Sequence, residues 1–289
     1  MYEHILNGLY AANQLTTEQQ KINYLRSLQP HVKSLRNSYN AYPVVIDYSD
    51  ANIQASYLIT YFPQYTELLT YALSMAGEII ANEHINSLIF FGSGPCPEII
   101  GYLDYIRIFT PNLARQLNIS IFDIAATNWQ YSRDIIFNQV VPNWLNVGSS
   151  IGRLSPKDLR IDVSFNASNL NSNKKLVVFQ NCLNEIEEVN HPVVLTNVEF
   201  VYNALPPASY IVIIDIHGYR SVIQLIQTIE DKLANTGTAE IVRSISGMGL
   251  RRGTKYSPSP IIKENLLTGE NGLIPKYWLN FNYSIIKKN

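Results

Sequence analysis

The sequence predicts an α/β protein, a doubly wound and mostly parallel sheet of seven strands with a helical N-terminal cap. Three observations carry that prediction. Short continuous apolar runs such as Ser87-Leu88-Ile89-Phe90-Phe91 mark strands buried on both faces. From residue 87 onward such runs alternate with helical periodicity, which implies a parallel sheet covered on both sides. Before residue 87 the apolar spacing is helical. The chain has 289 residues, 46% apolar and 16% charged, enough to bury a sizeable core and too apolar for a disordered chain.

The elements follow in order. Residues 1–15 and 17–28 place Ile5, Leu6, Leu9 and Tyr10, then Ile22, Leu25 and Leu28, at helix spacing. Thr17 followed by Gln20 reads as a capping box, and Pro30 closes the segment. Asp50 caps a helix over 51–61 that Pro63 interrupts, and a further helix spans 64–80. This region carries Tyr57, Tyr61, Tyr65 and Tyr71, read as packing residues with a second role in lining a ligand pocket. The strands are expected at 87–91, 118–122, 159–165, 175–179, 209–214, 239–245 and 277–286. Helices are expected at 97–109, at 129–144 with an interruption at Pro142, at 194–204 and at 221–234. Residues 246–276 read as a long loop.

Composition excludes several function classes. Twenty-two basic against 23 acidic residues leave a net charge of −1, so no global basic field points to nucleic acid or anionic membrane. The charge is uneven: residues 240–289 carry a net +5, and residues 1–86 and 87–239 carry −3 each. The start, MYEHILNGLY, has no basic segment followed by a long apolar one, and no stretch is apolar enough to span a bilayer. A soluble, cytoplasmic protein is the expectation. Five scattered histidines show no metal-ligand spacing, so no metal is expected. Cys96 and Cys182 cannot form a disulfide framework.

In a doubly wound sheet, ligands bind beyond the carboxyl ends of the strands. That rule selects four strand ends and the 246–276 loop. Gly92-Ser93-Gly94 follows the first strand and precedes a helix, so backbone N–H groups can approach an anionic ligand there. Glu98 stands at that helix start. Asp123 ends the second strand 29 residues after Gly94, where an acid can accept both hydroxyls of a ribose. Pro97 occupies the place of the third glycine in GxGxxG, which argues against the dinucleotide fingerprint. Asn181 and Glu185 lead a polar turn after the fourth strand. Asp215 and His217, two apart, are expected to point the same way, with His217 as a general base oriented by the carboxylate. Arg251 and Arg252 lie in the loop, in the net-positive region expected to face an anionic substrate.

Residues 87–286 resemble the class I S-adenosylmethionine-dependent methyltransferases. The likeness lies in LIFFGSGPCPE, ISIFD, KKLVVFQNCLNE and LPPASYIVIIDIHG, and in a closing pair, AEIVRSI and YWLNFNYSIIKK, similar to the terminal hairpin of that Rossmann-like fold. The segment SYLITYFPQYTELLTYAL and the Leu-Asn-Glu turn further resemble the ribosomal small-subunit methyltransferase-like proteins, without their cysteine-rich cluster site. The resemblance implies S-adenosylmethionine as cofactor. Gly92, Ser93 and Gly94 then pass under its methionine part, Asp123 holds its ribose, and Glu98 and Asn181 complete the site. Two departures stand out. Phe90 sits where many members carry an acid, and Cys96 where a third glycine is common. The implied function is methyl transfer to a small-molecule or peptide acceptor, held by Tyr61, Tyr65, Glu185, Arg251 and Arg252, with His217 and Asp215 as catalytic pair. The alternatives are an RNA methyltransferase, or a binding or assembly protein that keeps the fold. The expected layout is a cap over 1–86 and a cofactor-binding unit over 87–289, with specificity set by residues 246–276.

Overall fold

The computed structural model describes residues 1–40, 44, 46–111, 116–145, 148–161, 170 and 173–289. The cap consists of α1 (Tyr2–Ala12), α2 (Glu18–Ser27), α3 (Gln29–Tyr39), α4 (Ala51–Thr60), α5 (Phe62–Met75) and the short α6 (Ile79–Asn82). The Thr17 capping box forms as expected, with the Gln20 side chain accepting the Thr17 N–H in return. Asp50 caps α4 by accepting the Asn52 N–H at 2.7 Å. Pro30 does not close a helical segment. It sits in the first turn of α3, where a missing N–H costs nothing, and so opens a helix that the periodicity did not reveal.

The sheet runs β3 (Gly148–Pro156), β2 (Gln116–Asp123), β1 (Ser87–Phe91), β4 (Lys175–Gln180) and β5 (Tyr210–Ile216), all parallel. The antiparallel β8 (Trp278–Lys288) follows β5. β6 (Ala239–Ser244) and β7 (Leu250–Gly253) pair with opposite ends of β8, so two short strands share the last position. The sheet therefore has eight strands in seven positions, a doubly wound, Rossmann-like order closed by an antiparallel hairpin.

Two further expectations fail. The third strand is Gly148–Pro156 and not 159–165: Leu159 and Arg160 form a turn after it, and residues 162–165 lie outside the described ones. The 246–276 stretch is not a plain loop, because it holds β7 and α12 (Pro260–Asn265).

The helices α7 (Pro97–Phe109), α8 (Gln130–Ile135), α9 (Val141–Leu145), α10 (His191–Ala204) and α11 (Arg220–Ala234) complete the layers, with a π-helical turn at Ile136–Val140 between α8 and α9. Side chains alternate across the sheet as a strand's period of two demands. Leu88 and Phe90 enter one core with the cap helices and α7, while Ile89 and Phe91 enter a second core with α10 and α11. The first core runs unbroken from Ile5 of α1 to Ile285 of β8, so cap and sheet are buried against each other. Strand order reverses between β1 and β4, and the cap covers the carboxyl ends there. Among the described residues, no helix is long and apolar enough to cross a membrane.

Candidate functional site

The β1–α7 turn is built for close approach. Gly92 has φ +60° and Gly94 φ +51°, left-handed conformations that favour glycine. A Cβ on Gly92 would lie 2.3 Å from Cys182 Cβ, and one on Gly94 would lie 3.0 Å from the Trp129 ring. Asp123, at the tip of β2, accepts the Gly94 N–H at 2.9 Å through Oδ2 and the Ala125 N–H at 2.7 Å through Oδ1. Arg133, fully buried on α8, donates to the carbonyls of Gly94 (3.2 Å) and Ala126. Gly94 is thus held through both its N–H and its carbonyl. Arg133 escaped the sequence reading because nothing local marks a helical arginine as the partner of a distant turn.

The turn after β4 is held from the next strand. Asp215, wholly buried on β5, accepts the N–H groups of Leu183 (2.9 Å), Asn184 (3.2 Å) and Ile216 (2.7 Å). Burial outweighs these hydrogen bonds and pushes its carboxyl up to about 7. His217 lies apart. Its Nδ1 is 3.1 Å from Asn282 Oδ1, its ring packs over Gly249, and no hydrogen bond joins it to Asp215. The expected acid–base pair is therefore not assembled: the strand ends at Ile216, so alternation no longer orients residue 217. Asp215→Asn places a donor against backbone donors and is expected to destabilise the protein by about 1–3 kcal/mol, measurable by urea unfolding.

These turns and the cap enclose a cavity of about 460 Å³, within the range of small-molecule sites. Gly92, Ser93, Gly94, Glu98, Asp123, Asn181, Glu185 and Tyr65, all expected, line it. His217, Asp215, Tyr61, Arg251 and Arg252 do not. Arg251 stacks on Trp278 and Arg252 on Tyr71, so distant rings, not a ligand, engage both guanidinium groups. Tyr61 packs beside Tyr57 and Tyr65 and carries the Lys276 ammonium at 5.4 Å. Of the 246–276 stretch, α12 binds the cap, where Asn265 meets Arg26 and Gln29. No residue of that stretch lines the cavity.

Tyr39 and Tyr48 carry no local mark of a cavity role, Tyr39 at the end of α3 and Tyr48 in the turn before α4, and Lys157, Asp158 and Arg160 follow a third strand that lies earlier in the chain than 159–165. Trp129, buried in the first core, also forms part of the wall against Tyr48 and Tyr57.

The acids lining the cavity are perturbed by burial. Glu98 is 1% exposed, its Oε2 has no partner, and burial, reinforced by the charge of Asp123, holds its carboxyl well above the usual range. Glu185 is pushed up to about 8 by burial and by the charges of Asp123 and Asp215. Asp123 is also raised by burial, against the pull of its two backbone N–H donors. Both amide atoms of Asn181 are buried without partners. Polar groups left unpaired in a cavity wall are costly unless a ligand satisfies them.

S-adenosylmethionine fits these residues. Each Asp123 oxygen keeps a free lone pair for a ribose hydroxyl. Glu98 and Asn181 offer unpaired groups to an amino-acid moiety. Ile124, 58% exposed at the cavity lip beside Asp123, offers an apolar side chain for a base ring to cover. Among the described residues, no group of three or more His, Cys, Asp or Glu could hold a metal ion.

No protein-family model matches the chain, and no curated protein matches it. Among solved structures, it is similar to an S-adenosylmethionine-dependent methyltransferase from Anabaena variabilis at 10% identity and a TM-score of 0.44, covering 85% of this chain and 96% of that one. It is also similar to the N-methyltransferase NodS from Bradyrhizobium japonicum in complex with S-adenosylhomocysteine, at 8% identity and a TM-score of 0.40, covering 89% and 98%. A third is the precorrin-6y C5,15-methyltransferase from Geobacter metallireducens, at 9% identity and a TM-score of 0.39, covering 75% and 89%. The strand order defines the fold independently of these likenesses.

Proposed function

We propose that the protein is an S-adenosylmethionine-dependent methyltransferase acting on a small-molecule acceptor. One observation carries the reading. A buried carboxyl with one oxygen unpartnered (Glu98) and a strand-tip acid tied to a glycine turn (Asp123) face one cavity at the point where strand order reverses. When bound, the cofactor supplies an electrophilic methyl group on a sulfonium, so the protein's task is mainly to position the acceptor.

Asp123 holds the ribose, and Glu98 with Asn181 holds the amino-acid end. The Gly92–Gly94 backbone passes beneath, fixed by Asp123 and Arg133. Tyr65 and Glu185 stand on the acceptor side, and the cap helices α3, α4 and α5 exclude water. Asp215 acts as a positioning residue through the turn that carries Asn181 and Glu185.

Thermal unfolding with and without S-adenosylhomocysteine tests the reading. A ligand at 100 times its Kd stabilises the native state by about 2.7 kcal/mol and raises Tm. Glu98→Gln separates binding from stability. In the ligand-free protein Glu98 stays protonated to higher pH than its unfolded value of about 4.3. The native state then binds more protons than the unfolded one, so Glu98 subtracts from stability as pH rises from that value towards its raised native one. Glu98→Gln is therefore expected to melt above the parent at pH 8, to lose that advantage below pH ~4, and to bind S-adenosylhomocysteine ~10-fold more weakly through loss of a charge-assisted hydrogen bond. A variant with parental affinity would remove Glu98 from the site.

A further inference from the structure

Glu185 is left without a partner by everything described above. Its carboxyl lines the cavity, yet among the described residues it makes no hydrogen bond or ion pair. The turn that carries it is fixed by Asp215, so the side chain is presented and not adrift. Tyr39, Tyr48, Tyr57 and Tyr65 line the same cavity, and each feels the Glu185 charge. The wall already accepts a cation from outside: Lys276 Nζ lies 4.6 Å from the Tyr65 ring centroid and 3.3 Å from its hydroxyl. The cations that do line the cavity, Lys157 and Arg160, follow β3, three sheet positions from β4, and Arg160 is paired with Asp158 at 2.7 Å. An unpaired carboxylate beside aromatic rings is the chemistry that recognises an organic cation.

We infer that the methyl acceptor is an amine that enters as its ammonium ion, held against the tyrosine wall with Glu185 as counter-ion and proton acceptor. The inference rests on the methyltransferase reading and deepens it. The balance is simple. An N–H proton of the ammonium passes to the Glu185 carboxylate. The freed nitrogen lone pair forms a bond to the methyl carbon while the carbon–sulfur bond breaks, its electron pair staying on sulfur. The products are S-adenosylhomocysteine and a methylated ammonium ion, and the proton on Glu185 leaves to solvent. Burial pushes this carboxyl up to about 8, so in the empty cavity it holds its proton at neutral pH and gives it to solvent as the positive ammonium enters beside it.

The test uses choline and its uncharged isostere 3,3-dimethylbutan-1-ol, titrated calorimetrically into the full chain saturated with S-adenosylhomocysteine. Choline is expected to bind about tenfold or more tightly than the alcohol, the margin that a desolvated cation–π site and a counter-ion give. Glu185→Gln is expected to lose most of that preference while S-adenosylhomocysteine binding, the check that it folds, stays parental. Equal affinities for the two probes, binding of neither, or a preference unchanged in Glu185→Gln overturns the inference alone. Failure of S-adenosylhomocysteine to bind overturns the methyltransferase reading and the inference with it.

Discussion

Replacing Asp123 with alanine is expected to weaken S-adenosylhomocysteine binding by ~100-fold or more, since two charge-assisted hydrogen bonds to a ribose diol are together worth about 3 kcal/mol at the low end. The variant loses more than a ligand contact. Asp123 is buried and accepts the N–H groups of Gly94 and Ala125, so alanine leaves two backbone donors without their acceptor and frees the glycine turn at one end. Arg133 still holds the Gly94 carbonyl, so the turn is loosened but not lost. Asp123→Asn separates the two roles, because its carbonyl can still accept one N–H while the charge is gone. Calorimetry on both variants, with circular dichroism to check folding, measures the difference. Parental affinity in a folded Asp123→Ala protein would remove Asp123 from the ribose role.

Gly92→Ala is expected to destabilise the protein by roughly 2–5 kcal/mol, from two sources that can be separated. The left-handed backbone costs a residue with a Cβ about 1–2 kcal/mol. The new methyl meets Cys182 Cβ at 2.3 Å, an overpacking that typically costs about 1–3 kcal/mol. Pairing Gly92→Ala with Cys182→Gly removes the clash and leaves the backbone strain, whereas pairing it with Cys182→Ala keeps the offending Cβ and recovers little. Urea unfolding of Gly92→Ala, the two Cys182 single variants and the two double variants against the parent gives both cycles. Equal rescue by alanine and glycine at 182 would show that the sulfur, and not Cβ, sets the contact.

The parts of the fold that were legible in the sequence are those with a local cause. β1 and α7 fall where the apolar run and Pro97 place them, because a strand buried on both faces and a proline in a helix's first turn leave marks in a few adjacent residues. β3 left no such mark. It is an edge strand paired only with β2, and its residues 148–156 are weakly apolar, while the more regular pattern at 159–165 drew the assignment away. α3 was hidden because Pro30 reads equally as a stop and as a start.

The cofactor half of the candidate site was legible for the same reason: glycines at a tight turn and an acid at a strand tip are local requirements of that geometry. The acceptor half was not. Tyr39 and Tyr48 enter the cavity through tertiary packing of the cap. Asp215 is captured by the N–H groups of a neighbouring turn, His217 by Asn282, and Arg251 and Arg252 by Trp278 and Tyr71. These partners lie 30 residues or more away or on another strand, and no periodicity encodes them.

The most direct test of the central claim, that the cavity over the ends of β1, β2 and β4 is an S-adenosylmethionine site, is a calorimetric titration of the full chain with S-adenosylmethionine and S-adenosylhomocysteine. The account predicts one-to-one binding of both at micromolar ligand, a free energy of about −8 kcal/mol at a Kd of 1 μM. No heat of binding from either ligand at millimolar concentration would contradict it, and would leave a doubly wound fold whose cavity serves another ligand.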